Sequence, residues 1–86
     1  MPEVSRFYGI VIQIYYADHR PPHFHAAYGE HLAKIAIESL EVIDGALPKR
    51  AMELVLDWTR MHKQELLDAF NRAVECQPPG KIAPLE

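Results

Sequence analysis

The residues best suited to chemistry are four histidines between positions 19 and 31, in a chain that has five histidines in all. Three of them fall in the segment Asp18-His19-Arg20-Pro21-Pro22-His23-Phe24-His25. Imidazole exchanges protons near neutral pH and ligates metals through either ring nitrogen. The spacing of His23 and His25 is informative, because residues i and i+2 of a strand point to the same face of a sheet.

A β-sheet is expected to position this segment. Residues 8–16 (YGIVIQIYY) are rich in the β-branched and aromatic types that favour strands. Residues 23–28 (HFHAAY) and residues 32–38 (LAKIAIE) predict two more strands, and residues 41–43 are a candidate for a short fourth one. Connections this short favour an antiparallel meander.

The period of apolar residues changes to that of a helix from Pro48 onward, and proline is favoured at the first helical position. The apolar stripe drifts near residues 60–64, which fits one curved helix or two consecutive helices. The fold class predicted is therefore α+β: a three- to four-stranded antiparallel meander followed by one long or two consecutive C-terminal helices packed on one sheet face. A single domain over residues 1–86 is expected, with residues 1–5 and 78–86 as loosely held tails.

The helices require one apolar sheet face. Strand alternation assigns nine residues to it: Ile10, Ile12, Ile14, Phe24, Ala26, Tyr28, Ala33, Ile35 and Ile37. With Phe24 on this face, His23 and His25 are expected to point to the opposite, uncovered face. The binding surface predicted there consists of Tyr15, His19, His23, His25 and Lys34.

The histidines fit three functional hypotheses. The leading one is a protein-binding surface whose docking depends on pH. The second is a metal-independent ribonuclease, in which His23 and His25 act as acid and base and Arg20 or Lys34 stabilises the phosphorane. A simpler explanation is that the histidines only bond neighbouring backbone and shape the turn at the two prolines.

The third hypothesis is metal binding through His23 and His25 as weak candidate ligands. Asp18, His19, Glu30 or His31 could complete the coordination. A His-x-His pair by itself is common, so the sequence leaves the third ligand open. No motif for an organic cofactor is present, and no cofactor is predicted.

Composition limits the class of protein. The formal charge of −3 and a pI of about 5.9 argue against a dedicated nucleic-acid binder, although nucleic acid stays an open partner. The one cysteine cannot form an internal disulfide. The sequence shows no signal peptide and no apolar run of membrane-spanning length, so a cytoplasmic location without membrane contact is expected. The composition does not predict the oligomeric state, and a homo-oligomer is one option.

Several motifs carry a family resemblance, and they are listed here in chain order: SRFYGI at 5–10, Asp18-His19, PHFHA at 22–26, YGE at 28–30, LPKRA at 47–51, Trp58-x-x-x-His62, Glu65-Leu66, Ile82 and Pro84-Leu85. Together they resemble the bacterial family called domain of unknown function 4160. Phe70 departs from the pattern, since tryptophan is expected there in many relatives. The aromatic volume is nevertheless kept.

The resemblance implies a partner. Such proteins look like members of compact two-gene bacterial units, often beside a second small family (domain of unknown function 2442), in an arrangement similar to toxin–antitoxin modules. The expected partner is therefore a small protein encoded by the adjacent gene. The resemblance supplies no catalytic residues.

Overall fold

The chain forms a five-stranded antiparallel meander followed by two helices, in a computed structural model that describes residues 2–86. The elements are β1 (Glu3–Phe7), β2 (Ile10–Gln13), β3 (His23–Tyr28), β4 (His31–Ala36), β5 (Val42–Ala46), α1 (Lys49–Met61) and α2 (Lys63–Val74). The strands lie in the sheet in chain order, from β1 to β5. The predicted α+β class is confirmed, and the sheet has one strand more than the upper prediction.

The additional strand arises at the N-terminus. Tyr8 and Gly9 have φ values of 50° and 79°, so they form a two-residue turn of the kind that joins antiparallel strands in tight hairpins. The single strand predicted over residues 8–16 is therefore wrong: β2 starts at Ile10, and Glu3–Phe7 pairs beside it as β1. The expectation that residues 1–5 are loosely held fails for Glu3 onward, and Met1 lies outside the described residues.

The C-terminal segment is also held more firmly than predicted. The Ile82 amide donates to the Val4 carbonyl at 2.7 Å, and the Trp58 indole N–H donates to the Ala83 carbonyl at 2.8 Å. The Ile82 side chain is buried in the core. Residues 78–86 thus lack regular secondary structure but close the edge of the sheet beside β1.

The helical region is two helices. α1 ends at Met61, and α2 begins at Lys63 after His62 leaves the helical conformation with φ −123° and ψ 25°. This break lies inside the residues 60–64 where the apolar stripe drifts. In the described residues, no helix combines the length and apolar character that crossing a bilayer requires.

The core lies between the two helices and one face of the sheet. Eight of the nine side chains predicted to face inward are fully buried, and Phe24 lies 6.1 Å from the Trp58 ring. Tyr28 is the exception, since 38% of it is exposed. It is the last residue of β3, and its ring lies at the rim of the sheet next to Gly9.

Candidate functional site

The connection between β2 and β3 places the Asp18 carboxylate beside the first residues of β3. One Asp18 carboxylate oxygen, Oδ2, lies 2.9 Å from His23 Nε2 and 3.6 Å from His25 Nε2. One ligand-type atom from each of these three residues lies within 4.8 Å of the other two. We refer to Asp18, His23 and His25 as the histidine cluster.

Backbone contacts fix the connection in place. The Ala17 amide donates to the Ala73 carbonyl of α2 at 2.8 Å, and the Ile37 amide donates to the Pro22 carbonyl at 3.0 Å. The Arg20–Pro21 peptide bond is cis. The connection is therefore hydrogen-bonded to α2 at Ala17 and to the chain after β4 at Pro22. Asp18 lies between these two bonded residues.

Each side chain of the cluster has its own support. The Asp18 Oδ1 atom accepts the His19 amide at 2.8 Å, which leaves Oδ2 directed at the two imidazoles. The His23 Nδ1 atom lies 2.7 Å from the Pro21 carbonyl oxygen and must donate to it, because a carbonyl only accepts. The His25 ring stacks on Tyr15, with centroids 4.1 Å apart and planes 10° apart.

The expectation that both histidines lie on an uncovered face is wrong: His23 is buried and His25 is largely covered by Tyr15. The His23 side chain is only 3% exposed, against 12% for His25 and 19% for Asp18. Strand parity itself holds, because Phe24 is buried under Trp58. The difference arises because residues 14–22 fold over this end of the sheet, and the Phe70 ring of α2 lies 5.5 Å from the His23 ring.

The electrostatics of the cluster are those of a partly dehydrated carboxylate beside two imidazoles. Partial burial raises the pKa of Asp18, but the His19 amide, the charge of His23 and the contacts with both imidazoles together lower it below its ordinary value. Burial lowers the pKa of His25, and Asp18 opposes this shift only in part. His25 is therefore favoured in its neutral form. Its buried Nε2 atom makes no hydrogen bond, because Asp18 Oδ2 lies 3.6 Å away.

The other predicted site residues lie around the cluster without joining it. Tyr15 covers His25, and Lys34 lies directly opposite His25 on β4. His19 contributes its backbone amide, as described above. The Arg20 guanidinium donates to Asn71 and lies 5.9 Å above the Phe70 ring.

Two of the four candidate third ligands are at the wrong end of the hairpin. His31 pairs with Tyr28, so it lies at the turn between β3 and β4, and Glu30 is in that turn. The structure brings Asp18 to the histidine pair instead. Sequence reasoning included Asp18 among the candidates but had no means to prefer it.

Away from the cluster, the second face of the sheet is open. The register places Val11, Ala27, Leu32 and Ala46 side by side across β2 to β5. A polar row of Gln13, His25, Lys34 and Asp44 runs beside them. We call these two rows the open face. Leu32 at its centre is 52% exposed, and sequence reasoning did not single it out.

Two depressions adjoin the open face. A small one of about 130 Å³ lies between His25, Leu32, Lys34 and Asp44. A larger one of about 550 Å³ lies at the cluster end of β4 and β5, and its lining consists of Pro21, Pro22, Ala36, Glu38, Ser39, Glu41, Val42 and Ile43. Val42 and Ile43 are more than two-fifths exposed, so the edge strand offers further apolar surface beyond the polar row.

The fold and site define a class: a small α+β protein whose meander carries two helices on one face and a histidine cluster at one end of the other. The chain belongs to the family described as Domain of unknown function (DUF4160), whose profile matches residues 9–71 of the 86. This match confirms the family resemblance and includes the whole histidine cluster. No curated protein and no solved structure matches the chain.

Proposed function

We propose that this protein is an interaction module that binds a small partner protein through the open face. The observation that carries the proposal is the exposure of the apolar row, above all Leu32, on a sheet whose other face is fully packed. Val11 and Ala27, which lie in the same row, are half-buried. Contiguous apolar surface rimmed by polar groups is typical of protein interfaces.

The size of the face indicates how the partner must dock. Five strands spaced about 4.8 Å apart and about five residues long give a face of roughly 19 by 17 Å, or about 300 Å². A stable interface uses about 800 Å² on each side. The partner must therefore extend beyond the two rows, and the 550 Å³ depression beside Val42 and Ile43 supplies adjoining apolar surface.

The chemistry of the rows indicates what the partner presents. An apolar strip complementary to Val11, Ala27 and Leu32 would be flanked by polar groups, one of them opposite the Lys34 ammonium and one opposite the Asp44 carboxylate. Such a mixed surface favours one orientation of docking, because like charges placed opposite each other are disfavoured. The partner we propose is the product of the adjacent gene, in a pair similar to toxin–antitoxin modules.

The test is co-purification of the two gene products with two matched variants. Leu32→Asp places a charge on the open face, where it is expected to abolish the complex. Met61→Asp places the same charge on another exposed apolar residue, at the end of α1, and is expected to leave the complex intact. A complex that survives Leu32→Asp would contradict the proposal. Dimerisation of this chain alone that is sensitive to Leu32→Asp would assign the face to a second copy.

The ribonuclease alternative has weaker support from the geometry. His23 directs one ring nitrogen at Pro21 and the other at Asp18, so neither is free to take a proton from a substrate hydroxyl. Arg20 is engaged by Asn71. RNA cleavage that the wild-type protein performs and the His25→Ala variant lacks would restore this alternative.

A further inference from the structure

We propose that the histidine cluster is a binding site for a divalent first-row transition ion of the zinc type, with Asp18, His23 and His25 as its three protein ligands. The proposal does not depend on the interaction role: His25 borders the open face, but Asp18 and His23 lie at one end of the sheet, apart from the apolar row around Leu32. A site of this kind would join the β2–β3 connection to β3.

The separations of the candidate ligand atoms fit one shared ion. Bonds of about 2.0–2.2 Å from a metal place neighbouring ligand atoms about 2.8–3.1 Å apart in octahedral geometry and about 3.3–3.6 Å apart in tetrahedral geometry. Asp18 Oδ2 lies 2.9 Å from His23 Nε2 and 3.6 Å from His25 Nε2. All three ligand atoms already lie within 4.8 Å of one another, so small rotations of side chains would suffice.

The outer contacts are those that metal ligands usually have. A metal-bound histidine generally donates its second ring N–H to a carbonyl or carboxylate, which fixes the tautomer. In His23 the Nδ1–H group donates to the Pro21 carbonyl at 2.7 Å. Its Nε2 atom contacts Asp18 Oδ2 at 2.9 Å, and an ion bound between these two atoms would replace that contact and displace the proton in it. The Asp18 carboxylate is fixed by the His19 amide in the same manner.

His25 supplies an independent observation. Its Nε2 atom is buried and lacks a hydrogen-bond partner, a state that is costly for an imidazole nitrogen. Coordination would satisfy this nitrogen, because a neutral imidazole offers a lone pair there. Burial lowers the pKa of His25, which favours the neutral form that a metal requires.

The donor set selects the class of ion. Two imidazole nitrogens and one carboxylate oxygen suit Zn²⁺, Co²⁺, Ni²⁺ or Fe²⁺, whereas Mg²⁺ and Ca²⁺ prefer oxygen ligands throughout. Three protein ligands leave at least one coordination position for water.

The test uses the full chain stripped with EDTA and titrated calorimetrically with Zn²⁺ alone at pH 7.5. Wild type is expected to bind one equivalent. His25→Gln and Asp18→Asn each remove a ligand and are expected to weaken binding by well over 10-fold, the lower limit for losing even an outer contact. His31→Gln is the matched control, since it removes an exposed imidazole outside the cluster, and it should bind like wild type.

Two results would overturn the site: wild type that takes up no Zn²⁺, or variants of Asp18 and His25 that bind as tightly as the His31→Gln control. Should the ligand variants fail to fold by circular dichroism, wild-type protein still decides the matter. Zn²⁺ is then expected to shift the imidazole ¹⁵N resonances of His23 and His25 and to leave those of His31 unchanged. Shifts confined to His19, His31 or His62 would contradict the assignment.

Discussion

The two faces of this sheet are built from the same strands but are covered in different ways. On one face, Ile12, Phe24 and Ile35 are fully buried under α1 and α2. On the other, residues 14–22 cover only one end, and they do so largely with polar contacts around Asp18. Residues 2–86 form two helices, and both pack on the first face.

The comparison shows that burial on the second face has a different physical basis. The helix-covered face is stabilised by removing apolar side chains from water, which is not directional. The cluster depends on hydrogen bonds and charge at set distances, which hold specific atoms in place. Stability therefore resides mainly in the first face, and the partner recognition and ion binding that we propose belong to the second.

The largest effect is expected from truncation on the helix-covered face. Ile35→Ala removes a fully buried side chain at the centre of the sheet and should lower the free energy of unfolding by about 2–5 kcal/mol. Urea denaturation followed by circular dichroism measures this change. A loss below about 0.5 kcal/mol would mean that this face is not the main core.

A second, smaller loss of stability is expected from truncating Ile82, the residue of the C-terminal segment that is buried in the core. Ile82→Ala should cost about 2 kcal/mol, because it truncates a buried side chain, while the backbone bond to the Val4 carbonyl is kept. Lys81→Ala is the control: it removes only an exposed hydrogen bond to the Glu3 carbonyl and no buried side chain, so it should change stability less. Equal small effects of both variants would show that residues 78–86 are loosely held after all.

The histidine cluster is expected to make stability depend on pH. With EDTA present, the lowered pKa of His25 means that the unfolded chain binds more protons than the folded one as pH falls from about 7 to about 5. The free energy of unfolding should therefore decrease over this interval, and His25→Gln should reduce the slope. An unchanged slope in that variant would show that His25 is not held in a dehydrated site.

The smallest effect is expected on the open face. Leu32→Ala should change the free energy of unfolding of the isolated protein by less than about 0.5 kcal/mol, because Leu32 is half exposed. The same variant should still weaken partner binding. A stability loss close to that of Ile35→Ala would show that the open face is part of the core.

Alternation along the strands was enough to predict the buried set, since a two-residue period separates Ile10, Ile12 and Phe24 from their neighbours. It failed at Tyr28, the last residue of β3, whose ring lies at the rim of the sheet between Gly9 and the start of α1 and stays partly exposed. β1 was missed because only Val4 and Phe7 are apolar in Glu3–Phe7, and its pairing depends on the turn at Tyr8.

The cluster was only partly predictable for a similar reason. The strand period places His23 and His25 on one side of Phe24, but it does not describe how residues 14–22 return to the sheet. That path depends on contacts with residues distant in sequence, such as the bond from Ala17 to Ala73. In the sequence, Asp18 precedes the His-x-His strand by five residues, and two prolines lie between them. This spacing is the pattern that could have favoured Asp18 over the other candidate ligands.

The most direct test of the division between the two faces is amide chemical-shift mapping of this protein on addition of the adjacent gene's product. The account predicts perturbations along the open face, centred on Val11, Ala27 and Leu32, with little change on the exposed side of α1 around Arg60. Perturbations concentrated on α1 and α2, with the amides of β2 to β4 unchanged, would contradict it.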